Sequence, residues 1–540
     1  NDERICAGKV LPKNPRPDIV VFDESFVNGD VPFSAFTARK ALFDHWNAPG
    51  MTTFHSTTFQ PNAISTLHFM RCLKRADPKF YAEIAGELKR IDANLEFRDQ
   101  LFRRLYSSSL ARAIRITGFD SPHVRAQGGF VAVNGHQVYD GVGGVACSVR
   151  GHNPPTYVDE IKALADVNCE AELAQRLRAL TGLECMLPAV SGAGAVENAL
   201  KIALVSQFPK RHVLALKAGF GGKTLLALTG TWSNSYKKNI DPLYDDVSYV
   251  DPFATDATAQ IDEVFERHQV AVVQMELIQG VGGVRRVPLA VVRHLNAARA
   301  KHGCLLLIDE VQTGIFRTGP FTQSSAMGVT PDLLIVGKAI SDMMFPFALT
   351  LYSEKVGRML EQAGSDLPAE IRKRFDYPFG YKTGLNVLRF AERSRITEQV
   401  ARASGLFEEL LAKKLADCPA VRDVRVFGLL IGIELDASRR PQRWLRKRLY
   451  QVYISALLRH PRFPVLAGFC QSEPNVLKIT PPLMIQPEEI RHLCTAIGET
   501  LRCPFYRLLA SAVGSMMSPF RYWRKKHESA VLQTDAARDP

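Results

Sequence analysis

Nowhere in the 540 residues does an uninterrupted apolar run approach about 18 residues, so the sequence predicts no membrane span. The ten cysteines have no metal-ligand spacing, which leaves zinc sites without support and reads as reduced, mostly buried thiols of a cytoplasmic protein. The net charge of +13 is spread widely, with denser basic patches at 439–448 and 521–526. Neither patch carries aromatic platforms or a base-reading motif, so solvated faces are expected rather than a nucleic-acid surface. Small anionic substrates or a phosphate-bearing partner remain compatible with the charge. A signal-like segment is also missing, and a chain opening on Asn1 reads as a processed or partial product.

What is present is 46% apolar residues in a chain long enough for two or more domains. From about 165 to 395, helical stretches alternate with short apolar runs at Val213–Leu216, Val270–Gln274, Leu305–Ile308, Leu333–Val336 and Phe347–Leu351. That alternation predicts βαβ units and a largely parallel sheet with helices on both faces. Residues 128–140 read as a hairpin turning at Asn134-Gly135. Residues 396–502, with short strands near Val424–Gly428 and Leu430–Leu435, predict a smaller α+β domain. The expected divisions are 1–85, 86–165 (linker and first part of the small domain), 166–395 (large domain), 396–502 and 503–540. The last is an amphipathic basic tail that packs on the body.

Two of the apolar runs end on chemistry: Leu305–Ile308 on Asp309, and Leu333–Val336 on Gly337-Lys338. In parallel sheets the ligand crevice lies beyond the carboxyl ends of the strands. A lysine there can hold an aldehyde cofactor as a Schiff base, and a carboxylate can keep a pyridine nitrogen protonated. On these two residues alone, a salt bridge at the sheet end is an equal alternative. Ser191-Gly192-Ala193-Gly194-Ala195 opens a helical stretch, and a small-residue turn at a helix N-terminus offers N–H groups to a phosphate. Phe220, in Gly219-Phe220-Gly221-Gly222, can stack on a flat ring or simply fill core beside a turn. Glu276 closes a third apolar run, just before Ile278-Gln279-Gly280.

Taken in order, Ser191–Ala195, Glu276–Gly280, Asp309-Glu310-Val311-Gln312-Thr313-Gly314, Arg317-Thr318-Gly319 and Gly337-Lys338 resemble the class III aminotransferases, over about residues 125–500. Supporting matches are Gly151-His152-Asn153-Pro154, Gly428–Glu434 and Leu477–Leu483. The resemblance implies an α/β PLP-dependent transferase of fold type I, with a mostly parallel seven-stranded sheet in the large domain and a smaller α+β domain. It implies pyridoxal 5'-phosphate, with an amine donor and a carbonyl acceptor as small-molecule partners. By residue, Lys338 would form the Schiff base and shuttle the proton; Asp309 would pair with the pyridinium nitrogen and Gln312 with the ring hydroxyl. Ser191, Gly192 and Ala193 would hold the phosphate, Phe220 and Gly221 would flank the ring, and Glu276 would line the reacting face.

The departures from the family pattern concern the substrate. Lys478 stands where the family has an arginine that grips a carboxylate, and a lysine cannot reproduce that fork. Val281 stands where carboxylate-handling members have an acidic residue, so a hydrophobic amine, a long-chain aldehyde or an unusual keto substrate is expected. Gly194, Gly221 and Asp342-Met343 replace the usual Glu, His and Gly-Gly.

The front of the chain resembles a damaged second copy of the same pattern. Asp2-Glu3 resembles Asp309-Glu310, Pro17–Phe22 resembles Pro331–Val336, and Val31-Pro32-Phe33 resembles Phe345-Pro346-Phe347, with Glu24 in the register of Lys338. His55–Ala63 resembles a family loop whose threonine reaches the phosphate of the neighbouring subunit. The full module carries Pro378 at that position, so Thr58 of the front copy would supply the contact within one chain, as a pseudo-dimer; a homodimer is the other arrangement. The leading expectation is a transaminase. An aminomutase or decarboxylase using the same cofactor residues, or a non-catalytic PLP-binding module of a larger biosynthetic protein, are the alternatives.

Overall fold

The computed structural model describes residues 17–46 except 23, 62–105, 124–438 except 134–135, 233, 238–239 and 241–242, and 449–510. Its centre is a seven-stranded sheet of β1 (Cys185–Ala189), β2 (His212–Leu216), β3 (Val247–Val250), β4 (Val270–Met275), β5 (Leu305–Asp309), β6 (Leu333–Val336) and β7 (Ala348–Tyr352). The spatial order is β1-β7-β6-β5-β4-β2-β3. Neighbours run parallel except around β7, which is antiparallel to both β6 and β1.

Successive residues of a strand point to opposite faces, so the apolar runs feed two cores. Leu305, Leu307, Leu333 and Ile335 join one layer with Ala195, Val196 and Ala199 of the helix Gly192–Ser206. Leu306, Ile308, Leu334 and Val336 join the larger layer beneath the opposite helices. The five strands expected from the sequence are present. The two edge strands, β1 and β3, were not expected. β1 carries Pro188 opposite Leu349, and an edge is where a strand tolerates a missing N–H. β3 is only half-buried along most of its length, so it lacks the continuous apolar signature.

Beside this body, Val421–Phe427, Leu430–Leu435, Val476–Ile479 and Gly468–Phe469 form a four-stranded sheet in that order, packed by helices Ile396–Leu415 and Pro487–Arg502. The hairpin strands Phe130–Val133 and His136–Asp140 pair as expected, with Val133 opposite His136. Val465–Leu466 then adds to the second of them in parallel, so residues ahead of the large sheet share a sheet with the C-terminal part. At the tail, Phe505 and Leu508 are buried against that part, while residues 511–540 lie outside the described residues.

At the front, Ile19–Phe22 and Ala35–Ala38 form a two-stranded antiparallel sheet around a 3-10 turn, Glu24–Val27. Helices Ala63–Ala76, Pro78–Ala93 and Leu95–Leu105 follow, so a division at residue 85 falls inside a helix. That helix has no buried residue, and its charged surface resembles linker in sequence. Among the described residues all nine cysteines are free thiols, and no helix is long and apolar enough to cross a membrane.

Candidate active site

The carboxyl ends of β4, β5 and β6 bring buried Glu276 and Asp309 and half-buried Lys338 close enough for their charges to couple. Lys338 turns out of β6 with a left-handed φ of 50°, a conformation that disfavours a side chain and here places the amine at the strand end. Burial pulls that amine down to about 8; Lys478 acts in the same direction, while Cys147, Asp309 and Glu276 act against it. Asp309 moves the other way, to about 8, through burial and then the nearby Glu276 carboxylate, although Oδ1 accepts the Val311 N–H at 2.9 Å. Burial also raises Glu276, whose two oxygens accept the N–H groups of Phe220 and Gly280, each at 2.9 Å.

Ser191 caps the helix Gly192–Ser206, its Oγ accepting the Gly194 N–H at 3.1 Å. The first-turn N–H groups of Gly192 and Ala193 have no carbonyl of their own helix to reach. Gly192 lies against Val311, where a Cβ would meet the Val311 methyl at 3.0 Å, and Gly222 lies against Ala193 with only 2.7 Å for a Cβ. The Phe220–Gly222 loop is held by Thr231, whose Oγ1 accepts from Gly221 and Gly222. Glu197 tightens the next turn by accepting from Thr224, Leu226 and Ala227. A Cβ on Gly221 would lie 2.6 Å from Gln274 Nε2 and 2.8 Å from the Ala227 carbonyl, which explains why a histidine has no room there. Phe220 meets Tyr236 edge-on at 5.8 Å.

Gln312 packs on Gly280, where a Cβ would fall 2.0 Å from its Oε1, and its buried Nε2 has no hydrogen-bond partner among the described residues. A buried orphan donor is costly and marks a place for an acceptor. Lys478 Nζ is turned inward and donates to the Gly280 carbonyl at 3.1 Å. Contacts and charge couplings thus join Phe220, Glu276, Gln312 and Lys478 around Gly280, and Glu276 with Asp309 and Lys338, while Gly192 and Ala193 meet Val311 and Gly222 beside Ser191 and Gly221. Thr58 lies outside the described residues.

Several contributors come from distant sequence and carry no local signal. Fully buried Arg317 donates to the carbonyls of Pro481 and Ser148 at 2.5 and 3.0 Å, tying the large domain to both flanking segments. Asp342 accepts from the Val149 and Arg150 N–H groups and from Arg150 Nε at 2.6 Å. Asp342 and Met343 keep the left-handed φ of 47° and 65° that glycines would adopt freely. Between them and Arg317, Gly143–Ala146 form one left-handed turn with φ from 52° to 68°, leading to fully buried Cys147. Glu197 and Thr231 belong to the same group of long-range supports.

An open α/β sheet with a half-buried lysine and a buried carboxylate at adjoining strand ends, a small-residue helix N-terminus and an orphan amide donor fits pyridoxal phosphate. That places the protein among PLP-dependent enzymes of fold type I. A sequence model of the family "Aminotransferase class-III" matches residues 117–501. The chain therefore belongs to the class III aminotransferases. It is 28% identical over 381 residues to the acetylornithine aminotransferase of Methanothermobacter thermautotrophicus, covering 68% of this chain and 90% of the relative. To the [LysW]-aminoadipate semialdehyde transaminase of Deinococcus radiodurans it is 30% identical over 393 residues, covering 70% and 85%. Among solved structures, a PLP-bound amine transaminase from an uncultivated Pseudomonas species superposes with a TM-score of 0.64 at 22% identity, covering 71% and 95%. The chain is a PLP-dependent aminotransferase, an enzyme that moves an amino group from an amine donor to a carbonyl acceptor.

Proposed function

We propose that this transaminase, a cytoplasmic enzyme, works on amines and aldehydes or ketones that present no carboxylate to a forked arginine. The observation that carries this is Lys478: it is buried, a single point charge, and already engaged by the Gly280 carbonyl. When bound, pyridoxal phosphate supplies the electron sink. Around it, Gly192 and Ala193, capped by Ser191, would hold the phosphate by their N–H groups, and Gln312 Nε2 would donate to the ring hydroxyl. Asp309 would hold a proton at the ring nitrogen, Phe220 would cover the ring beside Gly221, and Glu276 would bound the reacting face. Lys338 Nζ would anchor the cofactor and then carry the proton between the substrate carbon and the cofactor carbon. A screen of primary alkylamines and α-amino acids against the cofactor-loaded protein tests the reading. Alkylamines should bleach the visible absorbance at lower concentration than glutamate, with no bleaching in Lys338→Ala. Glutamate bleaching as efficiently as the alkylamines would overturn it.

We also infer that the front segment stands in for a partner subunit, with Thr58 contributing to the phosphate site that Pro378 cannot serve. Support comes from the Glu24 carboxylate, which lies close enough to Tyr377, beside Pro378, to add to the burial that pushes the Tyr377 hydroxyl up to about 12. Thr58→Ala should weaken cofactor retention on dialysis by roughly tenfold, the worth of one charge-assisted hydrogen bond. Unchanged retention would remove the inference, leaving a homodimer as the arrangement to test.

A further inference from the structure

The front hairpin and the lysine-bearing hairpin share a register. Ile19 pairs with Ala38, Val21 with Phe36 and Phe22 with Ala35; Leu333 pairs with Tyr352, Ile335 with Thr350 and Val336 with Leu349. One constant offset relates every residue of the first set to its counterpart in the second. The same offset carries the 3-10 turn Glu24–Val27 onto Lys338–Ser341, and the left-handed pair Asn28-Gly29 onto Asp342-Met343. It also carries the bond from Arg39 N to Asp18 O onto that from Ser353 N to Asp332 O, and Asp30 N to Val27 O onto Met344 N to Ser341 O. The helix Lys40–Trp46 then starts where Glu354–Gln362 starts. Two unrelated hairpins have no reason to agree at so many points.

What differs is the covering. Leu333, Ile335 and Val356 are each 0% exposed, packed under the helix Gly192–Ser206, and β5 and β1 pair with the outer edges of their hairpin. Their counterparts Ile19, Val21 and Leu42 are 54%, 71% and 47% exposed, on a sheet of two strands among the described residues. The opposite face of the front pair is partly covered: Val20 and Phe22 are half-buried, and beside them Phe26 and Phe33 pack on Phe69 of the helix Ala63–Ala76. One face is therefore packed in part and the other presents large apolar side chains to water, which marks an interaction surface.

We propose that this face docks the first half of an aminotransferase large domain, carried on polypeptide outside these 540 residues. The occupant would present a small-residue helix like Gly192–Ser206 to Ile19, Val21 and Leu42, and strand edges like β5 and β1 to the hairpin. Residues 185–309 of a second copy cannot serve, because they already cover that copy's own β6 and β7. The completed unit is a second module with Glu24 in place of the Schiff-base lysine, unable to hold the cofactor covalently. The proposal rests on the front segment being a copy of the module and stands whether or not Thr58 reaches the phosphate.

The test is hydroxyl-radical footprinting of the protein from its natural source against the 540-residue chain produced alone, with lysine cross-linking through exposed Lys40. Ile19 and Val21 should be labelled several-fold less in the source protein. Lys40 should cross-link to a peptide that reads as an aminotransferase turn and helix absent from this sequence. Val21→Lys should abolish that cross-link while the visible absorbance of the Lys338-bound cofactor persists. Equal labelling in both preparations, or cross-links confined to this chain or to a second copy of it, would overturn the proposal.

Discussion

Replacing Lys478 by Met removes a like charge from beside the Lys338 amine without touching the amine itself. Burial is the larger cause that brings Lys338 from the ordinary 10.5 to about 8, and Lys478 is the next. At pH 7 an ordinary lysine is about 0.03% neutral, whereas one titrating at about 8 is about 9% neutral, roughly a 300-fold gain in nucleophile. A charge pair at short range under an effective dielectric near 20 is worth on the order of 1–3 kcal/mol. Lys478→Met should therefore move the amine from about 8 towards roughly 9, and slow cofactor capture at pH 7 about tenfold. At pH 10, where both forms are largely neutral, the two proteins should converge. Stopped-flow absorbance after mixing apoprotein with pyridoxal phosphate, from pH 6 to 10, reads this directly. Lys478→Arg keeps the charge and should keep the wild-type profile, which separates the electrostatic effect from loss of the Gly280 bond. A wild-type profile still rising at pH 10, or a Lys478→Met profile that superimposes on it, would refute the reasoning.

Asp309 offers the opposite sign. Its folded-state value of about 8 lies above the ordinary 3.8, so the folded apoprotein binds more protons than the unfolded chain between those values and loses stability as pH rises through them. Thermal melts of Asp309→Asn apoprotein should match wild type near pH 4 and exceed it at pH 8, while cofactor retention falls. Arg317→Met leaves at least two buried carbonyls, those of Pro481 and Ser148, without their donors. It should cost about 2–4 kcal/mol in denaturant unfolding, with Arg317→Lys giving little rescue because an ammonium lacks the planar fork. Asp342→Gly relieves a left-handed φ worth about 1 kcal/mol but removes one of the two carboxylates that pair with Arg150, Glu160 being the other, so restoring the family glycine should destabilise the fold by roughly 1–2 kcal/mol.

The legible part of the fold is the part buried on both sides. β4, β5 and β6 read as apolar runs, broken only by Gln274 in β4, and each leads to a residue of the candidate site: Glu276, Asp309 and Lys338. Periodicity fails at the edges, where Pro188 interrupts β1 and the half-buried residues of β3 no longer separate cleanly from loop. It fails again at residue 85, because helix Pro78–Ala93 has charged faces and no buried residue to mark it as structure. At the site, ligands contributed by local motifs were visible, and supports reaching across the fold were not. Thr231 holds Gly221 and Gly222 from the far side of a loop, Glu197 holds three residues beyond Lys223, and Asp342 meets Arg150 across nearly two hundred positions. No pattern within a strand or helix encodes such pairs, since each depends on the sheet already being closed.

The departure at Lys478 links the cleft's charge to its choice of substrate. A forked arginine free to grip a carboxylate must keep its donors turned to the cleft, whereas Lys478 gives a hydrogen bond to the Gly280 carbonyl. Gly280 is held at the same time by Glu276 at its N–H and by Gln312 against its Cα. A lysine in this position therefore braces the turn against which Gln312 packs and lowers the neighbouring Lys338 amine, two tasks that require it to stay put. Recruiting it to a substrate carboxylate would loosen the first and cancel the second, since a bound anion would screen its charge. On the proposed reading, the same inward bond that braces the Gly280 turn would leave the substrate side without a forked carboxylate anchor.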